Sequence, residues 1–278
     1  MNAESRFLTR PLRDVNAWVR FFCNAEIPVL AYTAQCIDEM ATDEDSADVN
    51  VLADTINDDP LMTLSLLRHV ARQRRGHQVS APETVLEALV LIGVCPLFRA
   101  FGHLPTVQDW LADSPEALDG LSHVIAQGYR AARFAQGFAA HRSDPDASVI
   151  HEVALLHHVV EMLFWLHAPQ LALEIIQRQA AQPGLRTIQA QKEVLGIDFR
   201  ELRLALMREW KLPELLVQLV DDGRASNAQV QSVLLAVRLA RHTTHGWDHP
   251  ALNDDIRDIA ELLHLGIEPT RRLLPQLA

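Results

Sequence analysis

Cysteine is scarce in this chain. Cys23, Cys36 and Cys95 are the only three in 278 residues, far apart and without a CxxC pair. That excludes a disulfide framework or a cysteine zinc site and fits reduced thiols packed in a core. Positive charge is also in short supply, with 25 Lys and Arg against 36 Asp and Glu for a formal net charge of −11. Such a chain lacks the field that gathers phosphate backbones, so nucleic acid is not an expected partner. Its 11 glycines and 14 prolines form no rich stretch, which argues against extensive disorder, and only the first dozen residues look loose. No window approaches the roughly 18 uninterrupted apolar residues of a membrane span. The N-terminus, MNAESRFLTRPLRDVNAW, has no apolar signal region. Membrane association is therefore not expected, and the expected location is the cytoplasm.

Catalytic templates are missing too. There is no GxGxxG or GxxxxGK[ST] loop, no GxSxG elbow and no HExxH, and the acidic run Asp43, Glu44, Asp45 lacks the alternating ligands and glycine of a calcium loop. No cofactor is implied.

What the chain does have is apolar spacing of helical period. Its 49% hydrophobic content suffices for a core, and Val149, Val153, Leu156, Val160 and Leu163 recur at intervals of three and four along one helix face. Strand-like alternation is not sustained anywhere. Helices are expected at 13–23, 28–42, 48–56, 60–72, 82–92, 94–102, 115–141, 148–166, 169–180, 188–194, 199–210, 213–221, 227–243, 254–264 and 268–276. Asp59-Pro60 and Ser114-Pro115 pair a capping side chain with a proline at the first helical position. Asp198 with Glu201, and Ser80 with Glu83, read as capping boxes. Gly93, Gly184 and Gly223 stand where a left-handed residue would end a helix. The segment 103–114 breaks the pattern and is the candidate junction between two helical lobes. No period of 20 to 50 residues repeats, which disfavours a solenoid.

Thirteen histidines are many, and imidazole titrates near neutral pH and binds metals. His157-His158 lie mid-helix, pointing about 100° apart, so at most one can face a given pocket; a core histidine satisfied by a backbone carbonyl is the plain alternative. His123 opens a long helix rich in small residues. Together His123 and His157 would supply two nitrogens, and two neutral imidazoles alone make a weak metal site. His242, His245, Asp248 and His249 mimic a short metal motif, but Gly246 and Pro250 suggest a surface loop that collects zinc adventitiously. The basic residues Arg72, Arg74 and Arg75 read as a solvated loop, with an anion or acidic-partner contact as the alternative.

The runs IPVLAYTAQCIDEM, VNVLADTINDDPLMTLSLLRHVA and VSAPETVLEALVLIG resemble the N-terminal half of the HDOD domain, the HD-related output domain of bacterial signalling proteins. HVIAQGYRAARFAQGFA, EVALLHHVVEML, KEVLGIDFRELRLALMREWKLPELL and SVLLAVRLAR continue the resemblance over about residues 25–242. Leu66-Leu67-Arg68 and Trp210-Lys211-Leu212-Pro213 are its more specific parts. The resemblance implies an all-α, multi-helix, HD-like orthogonal architecture with two packed helical lobes. It also implies a division into an N-terminal extension (1–24), an HDOD-like domain (25–242; lobes at about 25–105 and 106–242) and a C-terminal helical extension (243–278).

The family is similar to the HD-domain phosphohydrolases, whose metal centre uses a histidine, a His-Asp doublet and a later aspartate. By that resemblance His123 holds the first position and His157 opens the doublet, but His158 replaces the bridging aspartate and Val237 stands near the final one. Asp221-Asp222 occur where relatives often carry paired histidines, and Phe199 takes a position often held by histidine. Without both carboxylates, metal-assisted hydrolysis loses its physical basis. The resemblance therefore implies a regulatory, non-catalytic module with a degenerate HD centre that binds a signalling protein or small regulator. The alternative is a metal-dependent phosphohydrolase acting on a nucleotide or phosphorylated metabolite. An inter-lobe pocket lined by Arg68, His123, His157, His158 and Trp210 is the candidate ligand site.

Overall fold

Apolar residues at helical spacing, punctuated by side-chain caps, yield a helical protein. The structure is a computed structural model that describes residues 6–73 and 81–277, except the side chains of Asp45 and Ser46. Arg74, Arg75 and the expected Ser80 cap lie outside the described residues. In chain order the helices are α1 (Val15–Asn24), α2 (Ala31–Met40), α3 (Val49–Asn57), α4 (Pro60–Gln73), α5 (Val85–Ile92), α6 (Val94–Phe101) and α7 (Val107–Trp110). Then come α8 (Pro115–His141), α9 (Ala147–Leu155), α10 (Val159–His167), α11 (Pro169–Ala181), α12 (Thr187–Leu195) and α13 (Phe199–Glu209). The last four are α14 (Glu214–Leu219), α15 (Ala228–His242), α16 (Leu252–Leu263) and α17 (Ile267–Leu277).

The fold is all-α, as the spacing predicts. Among the described residues the β feature is one isolated parallel bridge, Val29 with Thr106. There the Val29 N–H donates to the Pro105 carbonyl (3.0 Å) and the Val107 N–H to the Val29 carbonyl (2.8 Å). This bridge anchors the irregular segment 103–114, in which the short α7 forms.

Two compact units divide the chain. One comprises residues 1–124 and 159–212, the other 125–158 and 213–278. Both are discontinuous in sequence. In the first unit α1 packs on α13, and α10 on α11 and α13. Its centre is aromatic: Trp18 lies 5.6 Å from Phe22 and 4.6 Å from Phe164, and Phe164 stacks on Phe199 at 4.9 Å. Phe199 is thus a packing residue. In the second unit α15 packs on α9 and α16, and α16 on α17, around Phe134, Phe138, Val233 and Leu239.

Helix starts follow local chemistry. Asp198 caps α13 by accepting from Glu201 N–H at 3.0 Å. Asp59 caps α4, accepting from Leu61 and Met62 N–H at 2.9 and 3.0 Å. Its second oxygen takes the Leu30 N–H at 2.7 Å, at the start of α2. Asp59 is fully buried, and burial raises its pKa against the pull of these donors and of the Thr33 hydroxyl. Helix α5 is capped by Thr84, which accepts from Glu87 N–H at 3.2 Å, while the Glu87 carboxylate accepts from Glu83 N–H at 2.7 Å. Helix ends depart further from expectation. Gly93 does end α5, at φ +82°. Gly184, however, comes after a helix already ended at Ala181, and Gly223 sits inside a 3-10 turn. The left-handed terminators are Gly196, at φ +73° after α12, and His264, at φ +53° after α16.

The stretch Ala147–His167 is apolar and long enough, by length and composition, to cross a membrane, yet 78% of it is buried inside the fold. It is a core segment.

Two substitutions test these constraints. Asp59→Ala leaves buried N–H groups at two helix starts without their acceptor and is expected to cost about 3–5 kcal/mol in urea unfolding, more than Asp59→Asn, which keeps one acceptor oxygen. Gly120→Ala drives a Cβ into the buried Trp165 ring. Despite alanine's better helix propensity it is expected to destabilise by about 1–3 kcal/mol.

Candidate functional site

The segment expected as one helix over 148–166 is interrupted where the histidine pair stands. Residues Leu156–His158 form a 3-10 turn between α9 and α10. The tighter turn separates successive side chains by about 120°, yet the two imidazoles remain in edge-to-face contact, with centroids 5.3 Å apart and planes 70° apart. His157 Nε2 lies 3.7 Å from Asp222 Oδ1, with side-chain exposures of only 11% and 22%. Asp222 opens a 3-10 turn after α14, held by the Asp221 carboxylate, which accepts from Gly223 N–H at 3.0 Å. A carboxylate does therefore come near His157, from the Asp221-Asp222 pair and not from position 158 or 237. Among the described residues, no three or more His, Cys, Asp or Glu side chains group as metal ligands.

Arg68 and Trp210 come together in the first unit. The Arg68 guanidinium sits 4.8 Å from the Trp210 ring centroid, and the two residues are 7% and 3% exposed. Arg68 Nη2 donates to the Cys23 carbonyl at 3.2 Å and Arg72 Nη2 to the same oxygen at 2.9 Å. That oxygen belongs to the last turn of α1, where helical carbonyls lack intrahelical donors and the dipole is negative, so the arginines complete the helix end. Burial, then the neighbouring charge of Arg72, pulls the Arg68 pKa down to about 10. The Trp210-Lys211-Leu212-Pro213 motif has a structural basis as well: Lys211 adopts φ +57° and turns the chain out of α13.

His123 is in the first unit, on an exposed part of α8. The three cysteines, expected as core residues, are half-buried free thiols.

The HDOD domain is the family whose model matches, over residues 27–224. The chain belongs to the HDOD family. The crystal structure of MmoQ response regulator from Methylococcus capsulatus is similar, with 22% identity, TM-score 0.67, and coverage of 90% of this chain and 98% of that one. A virulence factor from Campylobacter jejuni is similar with 16% identity, TM-score 0.63, and coverage of 95% and 93%. No curated protein matches in sequence. At these identities the structures establish the shared fold. The HDOD match includes His157, Asp222, Arg68 and Trp210 and stops before α15.

Beyond the HDOD match, the loop expected as an adventitious zinc collector is partly ordered by charge. His242 Nδ1 lies 2.6 Å from Asp255 Oδ2. Asp255 is 2% exposed and also receives Arg238 Nε at 2.7 Å. His249 stacks on His242 at 4.5 Å and 4°. The cluster thus ties α15 to α16.

Sequence reasoning overlooked His167, whose only signal was a position at the end of an apolar run. It is buried among Phe21, Phe22 and Trp110, at ring distances of 5.8, 6.1 and 5.6 Å. Its carbonyl accepts from Leu8 N–H at 2.8 Å, and burial pushes its pKa down to about 4 against a hydrogen bond to the Glu26 backbone. The folded chain therefore refuses a proton that the unfolded chain accepts near pH 6.5. This contribution to stability is full above that pH and is lost as pH falls toward 4, by up to about 3 kcal/mol. Chemical unfolding measured between pH 7.5 and 4.5 should show this slope, and His167→Met should flatten it.

Proposed function

We propose that this HDOD protein is a signal-transduction module that acts by binding a partner protein or a small regulator, not by hydrolysis. The observation that carries the reading is the state of its histidine pair. His157 lies 3.7 Å from the Asp222 carboxylate, and by the resemblance to HD-domain phosphohydrolases His158 stands where their bridging aspartate would be. Two divalent ions would demand several anionic ligands to offset their charge and hold an activated water. The Asp222 carboxylate at this distance instead gives an imidazole–carboxylate contact that secures the turn after α9 to the turn after α14. The fold shared with a protein described as a response regulator supports a role in signalling. The candidate residues for ligand contact are Arg68 and Trp210 in one unit, and His157 and His158 in the other.

Metal analysis of the purified chain, followed by assays with nucleotides and cyclic dinucleotides, tests this reading. The expected outcome is substoichiometric transition metal and background turnover, unchanged in His123→Ala and His157→Ala. About one equivalent of bound metal per chain, together with hydrolysis that depends on His123, would overturn it in favour of a phosphohydrolase with a rearranged ligand set.

A further inference from the structure

Arg68 is a buried cation that meets a helix-end carbonyl and an aromatic face and, among the described residues, forms no ion pair with a carboxylate. Its neighbour on α4, Arg72, shares the Cys23 carbonyl and adds a second positive charge that lowers the Arg68 pKa further. A cation taken out of water without a counter-ion is costly, and a second guanidinium on the same Cys23 carbonyl adds repulsion. The Trp210 face offsets part of this through a cation–π contact. Donors are also left over. Each guanidinium has five N–H groups, the protein takes one Nη2 contact from each, and Arg68 Nε is buried without a hydrogen-bond acceptor. Arg72 is exposed, so the pair is open to solvent on its side.

We propose that Arg68 and Arg72 form a receptor for the phosphoryl group of a small molecule, with Trp210 positioning the Arg68 guanidinium. The charge count selects phosphoryl over carboxyl: two guanidiniums together match a dianion, whereas a carboxylate supplies one negative charge. Spacing agrees, since residues four apart on α4 lie on one helix face and their side chains converge on one carbonyl oxygen. The site gives the small-regulator branch of the proposed function a chemical class, and rests on that reading for its biological purpose only.

Calorimetric titration of the full chain with inorganic phosphate and with pyrophosphate, at constant ionic strength, is the test. Saturable one-to-one binding is expected, weakened by about tenfold or more in Arg72→Ala, an exposed position where truncation leaves the fold intact. Sulfate should compete and acetate should not. In a parallel fluorescence titration, the emission change on binding should be lost in Trp210→Phe. Absence of binding up to millimolar concentration, or equal affinity in wild type and Arg72→Ala, would overturn the site. Competition by acetate or succinate as strong as by phosphate would overturn the phosphoryl assignment and point to an acidic segment of a protein partner. Because binding is measured without turnover, a hydrolytic activity would refute the regulatory reading and leave this site standing, whereas loss of binding would do the reverse.

Discussion

Asp59 holds a fully buried carboxylate between two helix starts, and the arrangement of α2, α3 and α4 is set by the donors that group must satisfy. The first N–H groups of a helix have no intrahelical acceptor, and in a dry interior water cannot serve them. One oxygen of Asp59 accepts from the first turn of α4 and the other from Leu30 at the start of α2. Pro60, lacking an N–H, adds no further demand. The Thr63 hydroxyl then donates to the Ile56 carbonyl at 2.8 Å, closing the end of α3. With α4 held in this way, Arg68 and Arg72 project onto the last turn of α1. A single capping aspartate thereby connects backbone satisfaction to the basic pair.

Charge leaving water is met in two ways. In the second unit Asp255 is buried among partners on α15. Asp255 is shared by His242 and Arg238, which also reaches Asp258, and His157 has Asp222. These pairs fasten one element to the next, which is why histidines that look like ligands in a linear motif serve as clasps. In the first unit Arg68 is matched instead by a carbonyl and an aromatic face, both weaker than a carboxylate. The asymmetry directs attention away from the histidines and toward α4 when a ligand is sought.

Much of the architecture was legible in the residues. Asp59-Pro60 and Asp198 with Glu201 mark helix starts because capping is a contact over two or three residues. The ends were harder. Gly184 and Gly223 have the right residue type, but φ depends on the path the chain takes after the glycine, and only Gly93, Gly196 and Gly246 among the described glycines take positive values. The break at His157-His158 was hidden because a 3-10 turn within a helix leaves the apolar spacing nearly unchanged. The Ser80 and Arg74-Arg75 expectations fall outside the described residues.

By itself the sequence determined that the chain is helical and where most helices begin, since each of these depends on residue type and short-range spacing. Only the tertiary structure decided which carboxylate meets His157, that His242 is bound through Asp255, that His167 is kept neutral, and that Arg68 stacks on Trp210. Each of these joins groups far apart in the chain, and the energy of a buried charge or ring is set by what faces it across the core, which no local pattern encodes.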